Sequence, residues 1–212
     1  KKHKIEIFCI TGYKNTNLLR KQSKYYRVKH AFALSIESEN KKFVKFLTYH
    51  STDLIYFLDY GYFSITYANI FLKRNKASNI AIANKEMIIA GGFTLINKIK
   101  KTKNILIPLD SEHFSLIGSI TSNKSLKKLY ITASGGPFYS KKNINLDNVK
   151  LKKVLSHPKW KMGVNNSIDS SNFVNKLLEI YEVAIIYGVD LRKIDFLISP
   201  EAYIHSIVVR SD

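Results

Sequence analysis

The sequence has little cysteine and no long apolar run. Cys9 is the only cysteine in 212 residues, which excludes an intramolecular disulfide and favours an intracellular compartment. No apolar run is long enough to span a bilayer. The apolar segment that begins at Ile5 is too short for a secretory signal peptide. These absences favour an intracellular globular protein with no membrane partner.

Arginine and acidic residues are scarce as well. The 34 basic residues outnumber the 16 acidic ones and produce a net charge of +18, which is typical of proteins that bind polyanions. Proteins that read bases rely on the planar arginine fork, however, and only five of the basic residues are arginine. The lysines are scattered, and Lys, Asn, Ile, Tyr and Phe are all abundant, as AT-rich coding would produce. We therefore favour compositional drift over nucleic-acid binding.

Strand and helix patterns alternate along the chain, which indicates an α/β protein. Strands are predicted at residues 5–10, 28–36, 53–58, 79–83, 104–109, 128–133, 195–199 and 204–210. Helices are predicted between the first two strands and at residues 41–49, 63–74, 85–100 and 170–187. Asp169 or Ser170 is suited to cap the last helix, and Gly188 to end it. We place a boundary between two domains near Ala83.

Two acidic residues, Asp110 and Glu112, follow the predicted strand at 104–109. Alternate residues of an extended chain point the same way, so their carboxylates are expected to converge. Hard cations such as Mg²⁺ or Mn²⁺ prefer oxygen ligands of this kind, and open α/β folds place ligands at the ends of strands. The alternative interpretation is a solvated turn with an acidic helix cap, which is common.

A second polar cluster lies inside the predicted helix at 170–187. Asn175, Lys176 and Glu179 are three or four positions apart, so they share one surface of that helix. One interpretation makes Glu179 a third metal ligand and gives the amide and ammonium groups to a phosphate. Ser170, placed at the helix N-terminus, would add a hydroxyl and the favourable end of the dipole. The alternative is an ordinary Lys–Glu pair on a solvated face.

Three further features invite a functional interpretation. The turn Ser134-Gly135-Gly136 follows a strand, where backbone N–H groups can approach an anion closely, although it is equally a simple tight turn. The polar stretch 157–163 holds the only tryptophan, Trp160, which suggests either a lid over a ligand or a loop anchored in the core. His205, taken alone, is most simply a core histidine.

Taken in order, these segments resemble the 1-deoxy-D-xylulose 5-phosphate reductoisomerases. That family converts 1-deoxy-D-xylulose 5-phosphate to 2-C-methyl-D-erythritol 4-phosphate in non-mevalonate isoprenoid biosynthesis. The resemblance runs from about Ile80 to the C-terminus. The matching stretches are 83–86 (Ala-Asn-Lys-Glu), 108–113 (Pro-Leu-Asp-Ser-Glu-His), 132–138 (Thr-Ala-Ser-Gly-Gly-Pro-Phe), 157–163 (His-Pro-Lys-Trp-Lys-Met-Gly), 168–170 (Ile-Asp-Ser), 175–179 (Asn-Lys-Leu-Leu-Glu) and 200–206.

The resemblance assigns roles to individual residues. The ligands of Mg²⁺ or Mn²⁺ would be Asp110, Glu112 and Glu179. The contacts to the sugar phosphate would be Lys85, Ser111, Glu112, Ser134, His157, Trp160, Met162, Ser170, Asn175, Lys176 and Glu179. The catalytic residues would be Lys85, Glu112, His157 and His205. The contacts to NADPH, which supplies the hydride, would be Thr11, Gly12, Tyr13, Lys14, Asn84, Glu86 and Gly163.

The same resemblance implies a fold, an assembly and a location. The fold would be a shortened Rossmann-like, NADPH-binding part at residues 1–83, followed by an α/β catalytic domain at residues 84–212. The family forms homodimers, so a homodimer is expected. The location would be the cytoplasm, or a plastid-type organelle in a eukaryote.

The N-terminal part departs from the family pattern. The family's turn reads Gly-Ser-Thr-Gly-Ser-Ile-Gly, whereas residues 9–15 keep Thr11 and Gly12 but lose the first and third glycines, which admit the pyrophosphate. Acidic residues, Glu37 and Glu39, stand where the cofactor's 2′-phosphate is expected. The chain also ends before the family's C-terminal helical domain. The first hypothesis is therefore a reduced, NADPH-dependent reductoisomerase, and the alternative is a non-catalytic or decaying remnant that binds metal and sugar phosphate.

Overall fold

The computed structural model describes residues 5–120, 125–139, 141, 144–156, 159 and 163–211. Three predicted site residues, His157, Trp160 and Met162, lie outside the described residues. Within the described part, every helix is too short or too polar to cross a membrane.

The N-terminal segment is a βαβα unit. Its elements are β1 (Cys9–Gly12), α1 (Thr16–Tyr25), β2 (His30–Ala33) and α2 (Glu37–Tyr49). The two strands are parallel, with Cys9 opposite His30 and Gly12 opposite Ala33. The first strand was predicted at residues 5–10 and lies later, because Ile5 is exposed and pairing begins only opposite His30. The crossover through α1 is the parallel connection that alternating periodicity predicts.

A second parallel sheet follows. Its elements are β3 (Leu54–Phe57), α3 (Ser64–Arg74), β4 (Asn79–Ile82), α4 (Lys85–Lys100) and β5 (Ile105–Pro108), in the strand order β3-β4-β5. Ile82 pairs with Pro108, so the residues after β4 and β5 emerge at one edge of the sheet. This sheet takes strands from both sides of residue 83, and the division into two domains there stays a prediction.

The C-terminal segment builds a third sheet of three strands. Its elements are α5 (Ser111–Phe114), β6 (Leu126–Ala133), α6 (Leu151–Val154), α7 (Val164–Ser171), α8 (Val174–Tyr187), β7 (Ile194–Ile198) and β8 (Ser206–Arg210). The central strand β6 is parallel to β7 and antiparallel to β8.

Helix α8 joins two hydrophobic cores. Ile186 packs into the core around Phe71 and Met87, beneath the second sheet. Val183 packs into the core around Leu129, beneath the third sheet. Because one helix contributes to both cores, the polar residues on its first half are held between the two sheets.

The helix predicted over residues 170–187 is in fact two helices. Phe173 adopts a left-handed conformation with φ 65°, which ends α7 and starts α8. The Asn172 side chain accepts a hydrogen bond from the Val174 N–H at 3.1 Å. The prediction that Asp169 or Ser170 caps this helix was therefore wrong, since Ser170 lies in the last turn of α7. Gly188 ends α8 in the left-handed conformation, as predicted.

Candidate metal and anion site

Helix α8 carries charged residues on its buried face. Lys176, Glu179 and Glu182 are spaced three residues apart, and each is less than a tenth exposed. Asn175 donates a hydrogen bond from Nδ2 to Glu179 Oε1 at 2.5 Å. Charged residues are almost never this buried unless they are paired or bind an ion, so this face of α8 indicates a functional site.

Asp110 and Glu112 reach the same place from the end of β5. The sequence predicts an extended strand end there, but only Asp110 is extended, at the N-cap position of α5, and Glu112 lies in the first turn of that helix. The convergence of the two carboxylates is nevertheless confirmed, because oxygen atoms of Asp110, Glu112 and Glu179 all lie within 4.8 Å of one another. Ser111 donates a hydrogen bond to Glu112 Oε2 at 2.6 Å.

Two lysine ammonium groups lie inside this carboxylate cluster. Lys85, the first residue of α4, forms an ion pair with Asp110 and lies 3.4 Å from both Glu179 Oε1 and Glu182 Oε2. Lys176 contacts Glu179, and its Nζ lies 3.0 Å from Glu112 Oε1. Both lysines are therefore bound by acids rather than exposed to solvent.

The cluster keeps an excess of negative charge when its acids are ionised. Four carboxyl groups face two ammonium groups, so two negative charges are uncompensated when all four acids are ionised, and one when Glu182 is protonated. Among the residues that the structure describes, Glu179 Oε2 accepts no hydrogen bond of regular geometry, although it contacts the Lys176 ammonium. Hard oxygen donors with one unsatisfied lone pair fit Mg²⁺ or Mn²⁺.

Burial and neighbouring charges displace the pKa values in this cluster. Burial opposes ionisation of Asp110, but the Lys85 ammonium holds the pKa of that carboxyl far below its usual range. Burial, followed by the charge of Glu179, raises the pKa of Glu112. Burial raises the pKa of Glu182 to about 8 and lowers the pKa of His113 to about 4. The His113 ring is therefore neutral at neutral pH, and its Nε2 lies 3.2 Å from the Glu179 carbonyl oxygen.

These shifts predict how the stability of the metal-free protein depends on pH. The pKa of Glu182 is about 8 in the folded protein, against an ordinary value of 4.5. The stability that the protonated Glu182 contributes is therefore lost as the pH rises through 8. The pKa of His113 is about 4 in the folded protein, against an ordinary value of 6.5. The stability that the neutral His113 ring contributes is therefore lost as the pH falls below 6.5. The two effects oppose each other between pH 4.5 and 6.5, whereas Glu182 acts without His113 between 6.5 and 8.

We therefore expect the free energy of unfolding of the metal-free protein to fall by about 1 to 2 kcal/mol between pH 6.5 and 8. Urea titrations in the presence of a chelator measure this change. Glu182→Gln has no carboxyl group to ionise, so most of the decline should disappear in that variant. A decline of equal size in both proteins would assign the effect to another group.

One cavity of about 480 Å³ joins the carboxylate cluster to the glycine turn after β6. Gly136 has φ +71°, and a Cβ built on it would lie 2.7 Å from the Ser170 carbonyl oxygen, so the turn packs tightly against the end of α7. This approach is open only to glycine, and it places backbone groups of the turn along the cavity wall. The cavity therefore has an acidic end and an end suited to an anion.

The structure brings most of the predicted catalytic, substrate and metal residues together. Ten of them line this cavity: Lys85, Asp110, Ser111, Glu112, Ser134, Ser170, Asn175, Lys176, Glu179 and His205. His205 Nδ1 lies 4.0 Å from Glu112 Oε1, so this histidine faces the site rather than the core.

The predicted cofactor residues are dispersed over three places. Thr11 to Lys14 span the end of β1 and the turn before α1, where Tyr13 is exposed. Asn84 is committed to structure, because its side chain accepts a hydrogen bond from the Met87 N–H and donates one to the Gly61 carbonyl oxygen. Glu86 is exposed in the first turn of α4, and Gly163 precedes α7.

The two acids that follow β2 are already paired. Glu39 accepts a hydrogen bond from the Ala33 N–H at 2.6 Å and forms an ion pair with Arg20. Glu37 pairs with Lys41, its neighbour one helical turn later. The repulsion of a 2′-phosphate that the sequence suggests is therefore reduced, because each acid has its own basic partner.

Sequence reasoning missed Glu182 and gave no role to His113. Both are at most 1% exposed, and together with Asp110 they form a second group of metal-type ligand atoms within 4.8 Å. The available signal was the spacing, since Glu182 follows Glu179 by three residues on one helix face. Six further residues that line the cavity had been given no site role: Leu109, Thr132, Ala133, Asn166, Phe173 and Ala202.

The fold and the site define an α/β protein with a buried carboxylate cluster at the carboxyl ends of parallel strands, beside a glycine turn. Residues 106–187 match the model of the 1-deoxy-D-xylulose 5-phosphate reductoisomerase C-terminal domain. The chain is 33% identical to the 1-deoxy-D-xylulose 5-phosphate reductoisomerase of Caldanaerobacter subterraneus subsp. tengcongensis and 35% identical to that of Pelagibacter ubique. The chain therefore belongs to the 1-deoxy-D-xylulose 5-phosphate reductoisomerase family.

The sequence alignments cover nearly all of this chain but only part of each relative. Both alignments cover 98% of this chain but only 58% of the relative, so the chain spans somewhat more than half the length of these curated relatives. A crystal structure of DOX-P reductoisomerase in complex with NADPH, fosmidomycin and magnesium superposes with a TM-score of 0.81 at 22% identity, over 97% of this chain and 57% of the other. The reductoisomerase from Zymomonas mobilis in complex with NADPH gives 0.79 at 23% identity, over the same shares. These likenesses confirm the predicted α/β fold.

Proposed function

We propose that this chain catalyses the NADPH- and metal-dependent conversion of 1-deoxy-D-xylulose 5-phosphate to 2-C-methyl-D-erythritol 4-phosphate. The observation that carries this proposal is the single cavity that joins the carboxylate cluster to the glycine turn. Its acidic end suits a divalent cation, and its other end suits a phosphate. The relatives with 33% and 35% identity bear the name of this activity.

Asp110, Glu112 and Glu179 would hold the cation, because their oxygens converge and, among the described residues, Glu179 Oε2 contacts the Lys176 ammonium without accepting a regular hydrogen bond. When bound, a divalent cation supplies a Lewis acid that polarises the substrate's carbonyl oxygen. The Lys85 ammonium, at the same end of the cavity, adds a fixed positive charge near the reacting oxygens.

The opposite end of the cavity orients the substrate. Backbone groups of the turn at Gly135 and Gly136, together with Ser170, would hold the phosphate. Asn175, whose amide donates to Glu179 Oε1, would contact the substrate from the carboxylate side. Fixing the phosphate positions the carbon skeleton against the carboxylate end and lowers the entropic cost of reaction. His205 lines the same cavity, with its Nδ1 4.0 Å from Glu112 Oε1, and would exchange a proton with bound substrate there.

NADPH would bind along the turn between β1 and α1. Its diphosphate would face the N-terminus of α1, where Asn15 caps the helix and Lys14 adds positive charge. When bound, NADPH supplies the hydride for reduction. The pairing of Glu39 with Arg20 supports this placement, since it removes most of the repulsion expected for the 2′-phosphate. We also propose a homodimer, located in the cytoplasm or in a plastid-type organelle of a eukaryote.

The loss of two glycines in the β1–α1 turn favours a second candidate, a non-catalytic protein that binds metal and sugar phosphate. One experiment separates the two candidates. The chain is incubated with 1-deoxy-D-xylulose 5-phosphate, NADPH and Mg²⁺, and NADPH oxidation is followed with and without a chelator. Turnover that the chelator abolishes is expected for the enzyme. Metal-dependent binding of the sugar phosphate in calorimetry, without NADPH oxidation, would support the second candidate instead.

A further inference from the structure

Glu182 is the deepest acid of the cluster, and neither the proposed metal site nor the anion pocket uses it. Its side chain is 1% exposed, and its Oε2 lies 3.4 Å from Lys85 Nζ and 3.8 Å from His113 Nε2. It follows the proposed ligand Glu179 by three residues on α8. Burying a carboxylate is costly, so a residue that only filled space here would more favourably be apolar.

Lys85 divides its contacts between two kinds of acid. Asp110 and Glu179 are proposed metal ligands, whereas Glu182 is not one of the proposed ligands. A divalent cation bound by Asp110 and Glu179 would take the oxygen lone pairs that the ammonium group now contacts. It would also repel that group at short range, because like charges in a poorly solvated site interact strongly. Glu182 is then the acid that remains for Lys85.

We infer that Glu182 is a positioning residue, which retains the Lys85 ammonium in the site when a divalent cation takes over Asp110 and Glu179. The lysine and the cation then occupy the cluster together instead of competing for it. This inference rests on the metal-binding part of the proposed function. It assigns Glu182 an effect on metal affinity that acts through Lys85 and not through contact with the cation.

A double-mutant cycle on Mn²⁺ affinity tests this inference. Mn²⁺ binding to the full chain is measured at about pH 8.5, above the pKa of Glu182, by electron paramagnetic resonance, without substrate or NADPH. The proteins are wild type, Glu182→Gln, Lys85→Met and the double variant. Glu182→Gln should weaken Mn²⁺ binding roughly tenfold, since an unpaired ammonium then competes for Asp110 and Glu179. In the Lys85→Met background, the same change should alter the affinity by less than about twofold, because there is no ammonium left to retain.

Two controls distinguish positioning from a loss of structure. Glu182→Asp keeps the negative charge and should recover most of the wild-type affinity. A matched cycle on Glu37 and Lys41, an exposed Glu–Lys pair on α2, should leave Mn²⁺ affinity unchanged throughout. Circular dichroism of each variant confirms that the fold is retained.

Every outcome decides the inference. Equal weakening by Glu182→Gln in both backgrounds would mean that Glu182 attracts the cation directly, which overturns it. Unchanged Mn²⁺ affinity of Glu182→Gln in the protein that keeps Lys85 would also overturn it. If wild type binds Mn²⁺ but the effects of Glu182→Gln and Lys85→Met on the affinity simply add, the proposed function remains intact and only this inference is rejected. Absence of Mn²⁺ binding by wild type would contradict both.

Discussion

Glu179→Gln is expected to reduce the affinity for Mg²⁺ or Mn²⁺ at least about a hundredfold while the chain remains folded. Glutamine has nearly the same shape, and the surrounding polar atoms keep partners, since Lys176 still contacts Glu112 and Lys85 still contacts Asp110. The cation loses one of three carboxylate ligands, and the excess negative charge of the cluster falls by one. Calorimetric titration with Mg²⁺ measures the affinity, and urea unfolding verifies the fold.

The same substitution should lower kcat/KM for the deoxyxylulose phosphate roughly a thousandfold, since the carbonyl is then polarised only weakly. Asp195→Asn is a suitable control, because Asp195 pairs with Lys128 on the exposed part of the third sheet and lies outside the cavity. Unchanged metal affinity in Glu179→Gln would remove this residue from the ligand set.

Gly136→Ala should have the second largest effect, on both stability and phosphate binding. Gly136 has φ +71°, and an added Cβ would lie 2.7 Å from the carbonyl oxygen of Ser170, which is backbone and cannot rotate away. Positive φ and the overlap together should cost about 2 to 4 kcal/mol of unfolding free energy. The turn must then move away from Ser170, so the affinity for the sugar phosphate should fall at least about tenfold.

Gly118→Ala separates the two contributions. Gly118 has φ +77°, but a Cβ there meets no atom within 4 Å, so only backbone strain of about 1 kcal/mol is expected. Chemical unfolding of both variants and of wild type measures the difference. Equal losses in the two variants would mean that contact with Ser170 does not restrain the turn.

Local patterns predicted the elements better than their ends. The helices at residues 63–74 and 85–100 and the strand at 79–83 were predicted within one residue at each end, but the kink at Gly92 inside α4, where φ is 51° and ψ is −155°, was not predicted. The break at Phe173 was missed because its cause, a left-handed residue between α7 and α8, has no periodic signal and involves no glycine. For the same reason Ser170 was assigned to the wrong end of a helix.

The site was predictable as a set of residues but not as an arrangement. Asp110, Glu112 and Glu179 could be proposed as ligands because motif spacing and family resemblance both point to them. The ion pairs of Lys85 could not be proposed, because they join residues that are 94 and 97 positions apart in the chain. The sequence also did not show that Asn84 caps α4, because an asparagine before a helix can either cap that helix or bind a ligand.

By itself, the sequence determined the order of the strands and of the longer helices, the family and the chemical groups available to the site. These depend on residue type and local spacing, which can be read along the chain. Only the tertiary structure decided which charges meet. The packing of α8 against both cores places Glu179 and Glu182 beside Lys85 from α4 and Asp110 from the end of β5. In that buried space two lysines balance the acids only in part, and the remaining negative charge is what supports the proposed divalent-cation site.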